Sequence, residues 1–131
     1  MGQQQLLLIV LGVIIVGIAI VVGINLFNSN AESSTKDSIT SEAMNLGAMA
    51  QQYYQKPVAM GGGGNVFSAK NGGTGWTIPT AMQTSTDADF EGTAPVVTDT
   101  SVVITGTPLN KSYTWKVVTT VTPTNISTVV K

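Results

Sequence analysis

Residues 6–27 read LLLIVLGVIIVGIAIVVGINLF, and the fold turns on where this run can hide from water. It carries no charge, and Asn25 is its one strongly polar residue. Seventeen of its 22 residues are Leu, Ile, Val or Phe. At about 1.5 Å per residue a helix of this length reaches roughly 33 Å, enough to cross a bilayer core of about 30 Å. Each large apolar side chain gains roughly 1.5–3 kcal/mol on leaving water, so full exposure of the run costs tens of kcal/mol. The run must sit in lipid, in a helical bundle, or in each at different times.

Its flanks separate the simpler readings. A secretory signal peptide has a basic start, an apolar core of about 7–15 residues and a small-residue cleavage site. Here the start is MGQQQ, without Lys or Arg, and the core is longer. The expectation is a retained segment, although NSNAESS at 28–34 has the look of a cleavage region. Side-chain charge does not orient it in a membrane by the positive-inside rule, because Lys36 and all later cations lie on its C-terminal side.

The helical pattern continues past the apolar run. Residues 28–56 contain no Pro and one Gly, Gly47. Ile39, Ala43, Leu46, Ala50 and Tyr53 recur at spacings of four and three, which predicts one apolar stripe on a helix. Lys36, Asp37, Glu42, Asn45, Gln51 and Gln52 lie mostly off that stripe. Pro57 supplies the stop, followed by Gly61–Gly64. A single helix to about residue 55 would extend roughly 80 Å. NSNAESST at 28–35 is where it would kink or break.

After Pro57 the composition turns to Gly, then to Val, Ile and Thr. GGGGN (61–65) and NGGTG (71–75) are turn elements read as flexible. Strand-like runs come next at 94–98, 101–105, 113–122 and 126–130, with Pro/Asn turns TPLNKS and TPTN between the later ones. Alternation from Thr114 to Val121 puts Trp115, Val117, Thr119 and Val121 on one face. Short strands in so small a segment need an amphipathic partner, and the 39–53 stripe is the candidate. The fold class expected is therefore α+β: a long N-terminal helix over 1–56, apolar over 1–27 and amphipathic over 28–56, packed by a small antiparallel β domain over 57–131.

Composition excludes much chemistry. Of 131 residues only 10% are charged, against about 25% in ordinary domains. His, Cys and Arg are absent, so there is no imidazole base, thiolate nucleophile, disulfide or Cys/His zinc site. A net charge of −1 without a basic stripe argues against nucleic acid as a partner. The first charge is Glu32, so all 13 fall in the last 100 residues. No enzyme activity and no cofactor are expected.

The order of parts resembles the type IV pilins and pseudopilins. As architecture the resemblance covers the whole chain; as sequence it covers about residues 1–24. In that family an apolar run of the type ELLIV follows a Glu at the fifth mature position. With Met1 as the first residue, Gln5 stands in that place before Leu6-Leu7-Leu8-Ile9-Val10. Val22 stands where the family often has a helix-breaking Pro, and the cysteines common in its C-terminal region are missing. The resemblance implies a membrane-held precursor, an assembly machinery that extracts it, and growth of an open helical homopolymer on the cell surface. It assigns assembly roles to Met1, Gln5, Gly12, Gly17 and Gly23. A neutral Gln5 would accept a hydrogen bond from a neighbour's N-terminal amine, or else rest at the membrane surface with Gln3 and Gln4. The glycines would permit close helix approach or local unwinding, or be ordinary transmembrane glycines. The function implied is a structural subunit of an extracellular pilus-like filament. The alternative is a membrane-anchored accessory protein, such as a minor pseudopilin of a secretion or DNA-uptake system.

Four further features stand apart from that frame. Asp87, Asp89 and Glu91 in DADFEG begin like a calcium loop, but the twelfth position is Thr98 instead of Glu. Asn110-Lys111-Ser112 and Asn125-Ile126-Ser127 match the N-glycosylation sequon. Phe27, Tyr53 and Tyr54 are aromatic positions on the helix, best explained by packing. GGGGN lacks the Lys-Ser/Thr of a phosphate loop.

Overall fold

The computed structural model describes residues 2–131; Met1 lies outside the described residues. Helix α1 runs from Gln3 to Gln55 without interruption. Neither the 28–35 stretch nor the three early glycines break it. The chain nevertheless divides into two compact units, one ending at Ser34 and the other spanning Thr35–Lys131. The division falls within the helix, not at residue 56 where the composition changes. Its physical reason is the stripe: α1 has its first buried residue at Ile39, and from there the helix shares a core with the C-terminal sheet and loops.

In the second unit the stripe is buried as its spacing predicts. Ile39, Ala43, Leu46, Gly47 and Ala50 are buried, and Tyr53 is half-buried against the same core. Opposite them lie five strands: β1 (Ala88–Asp89), β2 (Val96–Val97), β3 (Val102–Pro108), β4 (Val117–Val121) and β5 (Ile126–Val130). The sheet is antiparallel in the order β1-β3-β4-β5, with β2 also paired to β3. Alternation sets its faces. Val102, Ile104, Val117, Thr119 and Val121 point to the core together with Phe67, Trp76, Ile78 and Phe90. Thr119, the buried polar residue of the sheet, is matched across the ladder by Thr128, their hydroxyls 3.1 Å apart.

Strand limits differ from the sequence reading in three places. The run expected over 113–122 is regular only over Val117–Val121; Tyr113 and Trp115 stack on each other before it, ring centroids 5.4 Å apart. The run at 94–98 shrinks to Val96–Val97, and β1 is added. β3 continues beyond Thr105 through Gly106 and into Thr107-Pro108, the first two residues of the TPLNKS turn. Gly106 is there because the sheet is crossed closely: a Cβ at this position would stand 2.8 Å from Phe90 Cε1 and 2.9 Å from Ile39 Cγ2. Pro108 is the strand's last residue and lies beyond the β3–β4 ladder, which ends at Gly106 paired with Val117.

The first glycine loop, read as flexible, is the C-terminal cap of α1. Gly63 N–H donates to Tyr53 C=O at 2.8 Å, Gly64 to Lys56 C=O at 3.0 Å and Asn65 to Tyr54 C=O at 2.8 Å. Those carbonyls have no partner further along the helix, so the loop supplies one. Side chains have no room there: Cβ atoms at Gly62 and Gly63 would collide with Lys56 C=O and Val66 C=O. The second loop is tied to the first by Asn71 Nδ2, which donates to Gly64 C=O at 2.9 Å.

Candidate functional site

The candidate site is the surface of α1 over residues 6–27. All 17 large apolar side chains from Leu6 to Phe27 are between 53% and 73% exposed. A helix apolar on every face has no inside within a single chain. The same helix is long and apolar enough to cross a membrane. Contiguous apolar surface of this extent marks contact with lipid or with other protein.

Of the residues given assembly roles, Gly12, Gly17 and Gly23 lie on this surface and Gln5 immediately precedes it. Gln5 is exposed in the first turn, beside the positive end of the helix, and the first backbone bond described there is Leu6 N–H to Gly2 C=O at 3.3 Å. Met1, the other member of the pairing assigned to Gln5, lies outside the described residues. Gly12, Gly17 and Gly23 are helical and exposed, and a Cβ at any of them would meet no atom within 4 Å. Local unwinding is absent at all three. Nothing in the described chain requires them to be glycine.

The acidic motif is used in packing. Asp87 Oδ2 accepts a hydrogen bond from Ser38 Oγ at 2.8 Å. Asp89 Oδ1 accepts from the backbone N–H groups of Glu91 and Gly92, at 2.9 and 3.1 Å. One helical turn after Ser38, Glu42 Oε2 accepts from Ser85 Oγ at 2.7 Å. Ser85 and Asp87 are thus pinned to consecutive turns of α1. Asp87, Asp89 and Glu91 are not brought together, and no group of three or more His, Cys, Asp or Glu among the described residues is placed to hold a metal. Beside Glu42 lies a cavity of about 170 Å³ whose lining includes Glu42, Leu46, Met82, Ser85 and Phe90.

The aromatic positions are also separate. Tyr54 packs on Phe67 with ring centroids 4.8 Å apart, and Lys36 Nζ lies 5.2 Å from the Trp115 ring. Tyr53 lies under the glycine loops, where Cβ atoms at Gly63 and Gly73 would reach to 2.7 Å of its ring and 2.9 Å of its hydroxyl. On the surface, Asp99 accepts from Ser68 Oγ and from Lys70 Nζ, the latter at 3.1 Å. The Ser68 hydrogen bond first, and Lys70 second, hold its carboxyl below the usual range.

Sequence reasoning missed the Ser38–Asp87 and Glu42–Ser85 links and the capping role of the glycines. The i, i+4 spacing of Ser38 and Glu42 was available as a signal, but not the loop that meets them. In comparisons with family models, curated proteins and solved structures, the chain matches none.

Proposed function

We propose that this chain is a structural subunit of an extracellular type IV pilus-like filament, polymerising through residues 6–27. The observation that carries the reading is the all-round exposure of 17 large apolar side chains on a helix whose continuation belongs to a packed α+β unit. Before assembly the apolar helix rests in the membrane. Assembly machinery moves it into the centre of a helical filament, where neighbouring copies of the helix replace lipid. The exchange is close to neutral in burial, so a helix without a polar face suits both surroundings. Gly12, Gly17 and Gly23 are where neighbouring helices approach closely, as small residues allow between helices in lipid. Contacts of this kind do not close on themselves and grow into an open polymer.

The test is filament shearing followed by mass spectrometry and imaging of the fibres. The reading expects this chain as the dominant component, with residues 6–27 at the fibre axis. Trace amounts in the fibres, with the chain remaining monomeric in membrane fractions, would overturn it in favour of a membrane-anchored accessory protein.

A further inference from the structure

The two sequons stand in different surroundings. We infer that Asn110 is an N-glycosylation site in the folded protein and that Asn125 is not. The acceptor in this reaction is Nδ2 of an exposed Asn, in a segment that can be drawn into a transferase as a short loop.

Asn110, Lys111 and Ser112 are all exposed, in the connection between β3 and β4. Their hydrogen bonds are local. Ser112 N–H donates to Asn110 Oδ1 at 3.0 Å, and Tyr113 N–H donates to Asn110 C=O at 3.1 Å. The first bond folds the side chain back over its own sequon and leaves Asn110, as a residue, exposed. No strand pairing has to be broken to reach it.

Asn125 is exposed too, but its sequon belongs to the sheet. Asn125 N–H donates to Thr122 Oγ1 at 3.1 Å, and its C=O accepts from Thr122 N–H at 2.8 Å and Thr122 Oγ1 at 3.2 Å. Ile126 and Ser127 are in β5, in register with Val121 and Thr120 of β4. Ile126 also packs against α1, its Cγ2 being 3.2 Å from where a Cβ on Gly47 would stand. Drawing this sequon into an active site means stripping the start of β5 from the sheet and Ile126 from the helix.

The co-reactant is an oligosaccharide carried on a lipid phosphate or pyrophosphate. The bond from sugar C1 to the phosphate oxygen breaks, and the departing phosphate keeps its electron pair. C1 bonds to Asn110 Nδ2, which gives up one proton to a base of the transferase. No oxidation or reduction occurs. Pro108 stands two positions before Asn110, so the transferase is of the kind that reads Asn-X-Ser without requiring an acidic residue there.

The experiment presents the full chain, folded in detergent micelles and separately heat-unfolded, to such a transferase with its lipid-linked donor. Site occupancy is read by peptide mass spectrometry. The folded chain is expected to carry glycan at Asn110, with occupancy at Asn125 lower by roughly tenfold or more, while unfolding brings Asn125 up toward Asn110. Asn110→Gln and Ser112→Ala should each remove the Asn110 signal. Equal occupancy of both sites in the folded chain overturns the inference, and so does absence of transfer to Asn110 in either state. Neither result bears on whether the chain forms filaments, which is read by microscopy.

Discussion

One helix carries both halves of this protein's behaviour, and residues 6–27 and 39–53 use it in opposite ways. In the later half, five residues on one stripe are buried by the sheet and the side chains off that stripe remain in contact with water. In the earlier half every large apolar side chain stays more than half exposed. Helical geometry is common to both. The difference lies in where the apolar residues fall around the axis: a stripe is satisfied by one neighbour, whereas a fully apolar cylinder needs surroundings on all sides. The later half finds its partner within the chain, and the earlier half has to find one outside it.

That contrast can be broken from either side. Phe67→Ala removes one of the largest fully buried side chains and should destabilise the Thr35–Lys131 unit by about 3–5 kcal/mol. The thermal midpoint of the domain would fall, while membrane partitioning of the chain stays as before. Val16→Lys is the mirror experiment. A charge at the centre of the apolar run costs about 2.5–3.5 kcal/mol on insertion, less than the other 16 large apolar side chains gain there, so the chain should stay in membrane fractions while filament yield falls. A domain midpoint that dropped alongside would show the halves to be coupled.

Smaller changes sharpen the comparison. Gly106→Ala forces a methyl against Phe90 and Ile39 and should cost about 1–3 kcal/mol by overpacking, measured by denaturant unfolding. Gly17→Ala meets nothing within the chain and should strengthen the helix by up to about 1 kcal/mol. If close helix approach in the filament uses Gly17, that gain comes with poorer polymerisation; unchanged fibre yield would argue against the role. Asp99→Asn is the gentlest. Because the folded carboxyl titrates below its unfolded value, its stabilising effect is present above an unfolded pKa of about 3.9 and fades as pH falls through the folded value. The variant should flatten the acid end of the melting profile slightly, and an identical profile would mean that the exposed Lys70 contact and the half-buried Ser68 contact contribute nothing measurable.

Much of the fold is legible locally. The 39–53 stripe needs only its own spacing, and β5 matches the run at 126–130 because ISTVV, mostly β-branched and set off by the TPTN turn, has few other options. β3 is read too short because Pro108 looks like the start of a turn, and Gly106 reveals its place in the strand only where Phe90 and Ile39 press on it. The glycine loops are misjudged for the same reason. Tyr53, Tyr54 and Lys56 offer carbonyls at the end of α1, but nothing in GGGGN says that it folds back to meet them. The sequons are visible as motifs, yet only strand register separates Asn110 from Asn125.

By itself the sequence determines that residues 6–27 must leave water, since hydrophobic cost sums over side chains whatever surrounds them. It also determines that a stripe beginning at Ile39 will seek a sheet. Tertiary structure alone decides which glycines are structural. At Gly62, Gly63 and Gly106 another part of the chain occupies the space of a Cβ, and at Gly12, Gly17 and Gly23 none does. The need for a missing side chain is set by what comes close to it, and that is a property of the packed molecule.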